Sequence, residues 1–207
     1  MQPSSPGRQV THLADTSYLL CFGAVPRGLN FLNELFSGGI AAPPAVKQEL
    51  VSLPKNPKKR RAVKQAAEAF YGRNAGVLLD APLYDGDIHE RDLALSCIAT
   101  GTVPPPHDGK VPQAGEIVNE VTVGENAGES EAIAAAFRRS VPLLLTDGPA
   151  TRHAEGRRLP TESAAQSIRR LAKTPKEKYQ IYLVMERSVG NAGEPVPGHL
   201  WYREPKV

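Results

Sequence analysis

Cysteine is scarce in this 207-residue chain: Cys21 and Cys97 are too few and too far apart for a disulfide framework or a zinc knuckle, so both are expected to be reduced packing residues. No apolar run approaches the roughly 18–20 residues that cross a bilayer, so no membrane span is expected. The opening MQPSSPGRQV has neither the basic start nor the apolar stretch of a secretory signal, which points to a cytoplasmic chain. A G-x-x-x-x-G-K-[ST] phosphate loop is missing, and so is a G-x-S-x-G nucleophile elbow. His12, His89, His107, His153 and His199 are scattered without ligand spacing, and there is no internal repeat. Neither sign of charge dominates: the net charge of +3 is compatible with a polyanionic partner but does not require one.

What is present is an ordinary globular balance, 41% apolar and 23% charged, in a length that suits one α/β domain with an appended segment. The most informative stretch is Ala127–Ala154, AGESEAIAAAFRRSVPLLLTDGPATRHA. Ala132, Ile133, Ala136 and Phe137 recur on one helical face, Pro142 stops that helix, and Leu143–Leu145 is a short apolar run typical of a central parallel strand. Thr146 and Asp147 fall where that strand ends, and Gly148-Pro149 is expected to turn the chain away.

The same grammar opens the chain. Val10–Ala14 reads as a first strand ending in Asp15, Thr16 and Ser17. A helix over Gly28–Phe36 ends at Gly38-Gly39, a short strand covers Ile40–Ala42, and Pro43-Pro44 leads into a helix bearing Val46, Glu49 and Leu50. Next comes KNPKKRRAVK, with six basic residues in ten, among them Lys58, Lys59, Arg60 and Arg61. That run is either a solvated loop or a nucleic-acid contact surface. A helix over Ala62–Tyr71, a strand at Val77–Leu79 and a helix over Asp85–Thr100 with Leu93, Leu95 and Ile98 inside follow. Residues 101–127 read as a Pro/Gly-rich insertion, with Val118, Val121 and Val123 in a short strand element. Helices are expected over Arg152–Arg158 and Ser163–Lys173, the second presenting Arg169 and Arg170. Residues 1–178 then form one domain, and 179–207, opening with the apolar YQIYLVM, form a β-rich arm. The predicted architecture is a three-layer α/β/α sandwich around a parallel sheet.

Asp15, Glu49, Glu129, Glu131 and Asp147 all fall where strands finish and helices begin, which is where open α/β sheets place their chemistry. Each alone reads as a helix cap or a solvated carboxylate. Together they would repel one another unless protons or divalent cations were bound, and hard oxygen ligands select Mg²⁺ or Mn²⁺ over zinc. Glu129 and Glu131 lie about 200° apart on a regular helix. Spacing from Ile133, Ala136 and Phe137 favours Glu129 as the inward one.

Asp-Thr-Ser at 15–17, Pro43–Leu50, Gly-Glu-x-Glu-Ala-Ile at 128–133 and Leu-Leu-Thr-Asp at 144–147, followed by Arg152 and Ala154, resemble a PIN domain, and within it the VapC-like toxin ribonucleases. The resemblance spans roughly residues 10–172. It implies a Rossmann-like fold and a Mg²⁺- or Mn²⁺-dependent endoribonuclease with Asp15, Glu49, Glu131 and Asp147 as the acidic metal site. The family pattern favours Glu131, with Glu129 also common, so both stay candidates. It further implies that Thr16, Ser17 and Thr146 steady those acids, and that an antitoxin protein is a partner, with a homodimer as the assembly. Many relatives carry two consecutive acids after the last strand, whereas Asp147 precedes Gly148 here. On this reading Lys58–Arg61, Arg152, Arg169 and Arg170 hold RNA phosphates. The alternative is a catalytically inactive PIN-like module that binds RNA or a protein partner. A phosphotransferase using Asp15 as nucleophile ranks below both, since position 17 is Ser where a second Asp is wanted.

Overall fold

The computed structural model describes residues 9–105, 115–190 and 192, with backbone alone at 72, 73 and 75. Five short parallel strands form one sheet: β1 (His12–Ala14), β2 (Ile40–Ala42), β3 (Leu78–Asp80), β4 (Leu143–Leu144) and β5 (Thr161–Glu162). Their order is β3-β2-β1-β4-β5, with Leu13 beside Ala41 on one side and Leu143 on the other. The order reverses at β1, so the crevice beyond the carboxyl ends of β1 and β4 is the switch point where such sheets accommodate ligands.

Alternate strand residues feed two apolar layers. Ala14, Ile40, Ala42 and Leu144 face α1 (Thr16–Gly23), α2 (Gly28–Leu35), α3 (Pro44–Ser52), α4 (Arg61–Glu68), α8 (Ala164–Arg170) and α9 (Pro175–Val189). Leu13, Ala41 and Leu143 face α5 (Ile88–Thr100), α6 (Ala127–Arg139) and α7 (Gly148–Gly156). The result is the expected three-layer sandwich. Cys21 and Cys97 are both buried free thiols.

Several local expectations are corrected. YQIYLVM is helical, as part of α9. Thr174 Oγ1 accepts from Glu177 N–H at 3.3 Å while Glu177 Oε2 accepts from Thr174 N–H at 2.8 Å, and Pro175 occupies the first turn. That reciprocal cap starts a helix whose Tyr182 and Met185, three apart, enter the core. The expected boundary at 178 therefore falls inside α9. The part of the arm over 193–207 lies outside the described residues.

Gly148-Pro149 opens α7 instead of turning away, because Asp147 caps that helix and Pro suits a first turn. The helix begun at Ser163 ends at Arg170, where Leu171 turns extended. In α5 the buried apolar positions are Ala94, Cys97 and Ile98, with Leu93 and Leu95 only half-buried. Within the insertion, 106–114 lie outside the described residues, and Val118, Val121 and Val123 form no strand. A single antiparallel bridge joins Ile117 to Tyr84.

Candidate metal centre

Four helices start along the edge where the strands end, and each is capped by one of the carboxylates singled out in the sequence. Asp15 is the N-cap of α1: its Oδ1 accepts from Tyr18 N–H at 2.8 Å. Its Oδ2 accepts from the Ser17 hydroxyl at 2.5 Å, and Ser17 Oγ accepts from Thr146 at 2.8 Å. Asp147 is the N-cap of α7, accepting from Ala150 N–H at 2.9 Å.

The two glutamates cap each other's helices. Glu49, on α3, accepts from Gly128 N–H in the first turn of α6 at 3.0 Å, and from the Thr16 hydroxyl. Glu131, on α6, accepts from Ala45 N–H in the first turn of α3 at 2.8 Å. Its other oxygen accepts from Thr122 N–H at 3.0 Å. A glycine at 128 makes the first of these contacts possible, since a Cβ there would stand 2.8–3.1 Å from the Glu49 carboxylate.

The hydroxyls of Thr16, Ser17 and Thr146 therefore do reach the acids, directly or through one another.

The charges that remain are not balanced in pairs. Asp15 is fully buried, and burial pushes its carboxyl well above the usual range, with repulsion from Glu129 and then Asp147 adding to it. Burial likewise pushes Glu129 up to about 7, reinforced by Glu49, Asp147 and Glu125. Glu49 is raised by burial and by Glu131, while Lys59 opposes this. Asp15, Glu129, Asp147 and Glu49 thus share one negative field. Glu131, completely buried, acts on Glu49 as well but has both oxygens on backbone amides. Spacing favours Glu129 as the inward one, but Glu131 is the completely buried member of the pair and Glu129 is only half-buried. The structure turns Glu129 toward the other acids and Glu131 toward α3.

The hard-oxygen donors and their mutual repulsion suit a divalent cation, which would relieve that repulsion. The fit is one of charge at Asp15, Glu129 and Asp147. Among the described residues no three or more His, Cys, Asp or Glu side chains are gathered around one point that could hold an ion.

The basic residues divide. Lys58, Lys59 and Arg60 are exposed in the turn before α4 and Arg61 is exposed as its first residue, and Lys59 is near enough to act on Glu49. Arg60 donates to the carbonyl of Val189 at 3.0 Å. Arg152 is exposed on α7 and folds back over Gly148. Arg169 and Arg170 end α8, which runs away from the acidic edge. Arg170 is engaged there, pairing with Glu162 at 3.0 Å and lying over the Phe36 ring at 5.0 Å.

Sequence reasoning missed a buried cluster behind the site. Arg157 donates to both oxygens of Glu90, at 3.0 and 2.5 Å, and to the carbonyl of Pro105 at 2.7 Å. Buried His153 stands 3.8 Å from Glu90. These residues are 63 and more positions from Glu90, so no local spacing could signal the pairing.

No known protein family, characterised protein or solved structure matches this chain.

Proposed function

We propose that this protein is a Mg²⁺- or Mn²⁺-dependent endoribonuclease of PIN-like type, acting in the cytoplasm as the toxin of a toxin–antitoxin pair. The observation that carries the nuclease reading is the set of mutually repelling acids, Asp15, Glu129 and Asp147, at the switch point of a parallel sheet. The toxin role and the antitoxin partner rest on the resemblance of the sequence motifs. No helix among the described residues is long and apolar enough to cross a membrane.

In this reading Asp15, Glu129 and Asp147 supply the negative charge that would hold the cation, with Glu49 adding to it. When bound, the cation supplies activated water and charge neutralisation at the scissile phosphodiester. The chain's own groups do the rest. Thr146 and Ser17 hold the Asp15 carboxylate in one orientation, and Thr16 does the same for Glu49. Without the cation Glu129 is pushed up to about 7, so binding at neutral pH would displace its proton and hold the carboxylate ionised. Lys59 stands near Glu49, and with Lys58, Arg60 and Arg61 in the same exposed run it would attract RNA phosphates.

A second reading has its own support: Glu49 and Glu131 both accept from backbone amides, as plain helix caps do. On that basis the fold is a non-cutting module that binds RNA or a protein. RNA cleavage by the purified chain with Mg²⁺, Mn²⁺ or EDTA, beside Asp15→Asn and Asp147→Asn, separates the two. Metal-dependent cleavage abolished by both substitutions is expected. No cleavage, with RNA bound equally by wild type and variants, would favour the binding module.

A further inference from the structure

Glu131 sits inside the Gly-Glu-x-Glu motif that the resemblance assigns to metal binding, yet its surroundings are those of a strut. It is completely buried. A carboxylate can only accept, and both oxygens already take N–H donors from two different segments, Ala45 at 2.8 Å and Thr122 at 3.0 Å. Each oxygen keeps a second lone pair, but an ion would have to reach a completely buried carboxylate already held between two backbone segments.

The first amide belongs to α3, the helix that carries Glu49. That helix is nine residues long, and Glu49 lies four positions after Ala45, about one turn on. The same helix pair is joined a second time, in the opposite sense, by Glu49 on Gly128. Two carboxylate-to-amide contacts therefore cross between α3 and α6, each helix capping the other. The second amide, Thr122, belongs to the segment that leads into α6. Upstream that segment is fastened by Asp85 N–H to the Glu116 carbonyl at 3.0 Å and by Val118 N–H to the Leu83 carbonyl at 2.9 Å. Glu131 fastens it next to the acids.

We infer that Glu131 is a positioning residue: by tying the start of α3 and the segment at Thr122 to α6, it sets where the Glu49 carboxylate stands. Glu131 then contributes to the acidic site through Glu49 and holds no ion itself. The role of the site as a metal centre is taken from the function proposed above; the strut is not, and the two can be tested apart.

Gly128 N–H supplies a readout that needs no metal. In the first turn of α6 it has no partner within its own helix, so its protection from hydrogen exchange reports the Glu49 contact. Amide exchange measured by NMR on the full chain in EDTA should show Ala45, Thr122 and Gly128 protected in wild type. Glu131→Gln keeps one acceptor oxygen, so at least one of Ala45 and Thr122 should exchange about ten-fold faster or more, and Gly128 with it although Glu131 does not touch it. The same loss in Glu131→Asp, which keeps the charge but is one methylene shorter, serves if the glutamine variant fails to fold. Unprotected Ala45 or Thr122 in wild type would overturn the inference, and so would a Gly128 that stays protected in either variant.

A Mn²⁺ titration followed by the resonance of the free ion tests the other half. Glu49→Gln and Glu131→Gln should each weaken binding about ten-fold, and the double variant no further than Glu49→Gln alone. A double loss equal to the product of the two single losses would overturn the positioning role and make Glu131 a ligand. Wild type that binds no Mn²⁺ would sink the metal centre, while the exchange at Gly128 would still decide whether Glu131 positions Glu49.

Discussion

Replacing Glu129 with glutamine should stabilise the metal-free protein, and only above the pH at which ordinary glutamates ionise. Burial, followed by the charges of Glu49, Asp147 and Glu125, moves this carboxyl from 4.5 to about 7. The difference, at about 1.4 kcal/mol per pH unit, corresponds to about 3 kcal/mol. The sign follows from which state holds the proton. The folded chain keeps it to higher pH than the unfolded chain, so stability is highest below about 4.5, declines as pH rises toward about 7, and is lowest beyond it. Glutamine keeps the shape and removes the charge. In a chain of this size 1 kcal/mol moves the melting temperature by about 2–4 °C, so the variant should melt about 6–12 °C higher than wild type at pH 8. Near pH 4 the two should coincide. Asp15 and Glu49 are raised in the same direction, so a reduced pH dependence persists in the variant. Calorimetric melts in EDTA from pH 4 to 8 test this. Parallel curves for the two proteins, or a lower midpoint for Glu129→Gln at pH 8, would refute the claim that Glu129 ionises against the field of its neighbours. Adding Mn²⁺ should raise the wild-type midpoint most above pH 7 and should raise that of the variant far less.

Gly128→Ala places a Cβ 2.8–3.1 Å from the Glu49 carboxylate. It should gain up to about 1 kcal/mol in helix propensity yet weaken Mn²⁺ binding; unchanged affinity in the titration would mean that Glu49 does not serve the site. Arg157→Met leaves buried Glu90 without its partner and should cost about 3–5 kcal/mol at neutral pH by denaturant unfolding. Burial acts to raise Glu90, but His153 and Arg157 reverse this and hold it below its usual range, so the penalty should shrink as pH falls through that range. Alanine at Lys58, Lys59, Arg60 and Arg61 together should lower the salt-dependence slope of RNA binding by up to about 3, at about 0.7 per phosphate contact on a single strand. An unchanged slope would move the RNA path elsewhere.

The strands that carry the acids are legible because each is an apolar run closed by a carboxylate, a pattern fixed by burial on both faces of the sheet. β5 is not written that way: Thr161 and Glu162 are polar and lie at the sheet's edge, where one side needs no partner strand. α9 misleads for the opposite reason. Its aromatic and β-branched run has strand composition, and only the Thr174–Glu177 cap together with Tyr182 and Met185 three apart mark it as helix. The acids themselves were all visible, but spacing along one helix cannot say which of Glu129 and Glu131 meets α3, since that depends on a helix more than 80 residues earlier. The Glu90–Arg157 pair is invisible for the same reason.

A carboxylate at the end of a parallel strand and at the start of a helix occupies one address with two uses, capping and chemistry, and hydrogen bonds alone do not distinguish them. Charge does. A capping aspartate at a helix N-terminus is ordinarily held in its charged form by the dipole and by the amides it accepts from. Asp15 has those advantages, with Tyr18 N–H at 2.8 Å and the Ser17 hydroxyl at 2.5 Å, and is nonetheless pushed well above its usual range by burial and by Glu129 and Asp147. Serine or asparagine would cap α1 as well, with no charge to desolvate. An acid kept in that position, against burial and two like charges, is hard to account for by helix capping. It agrees with the cation site proposed above, where stability given up locally would be a consequence of function.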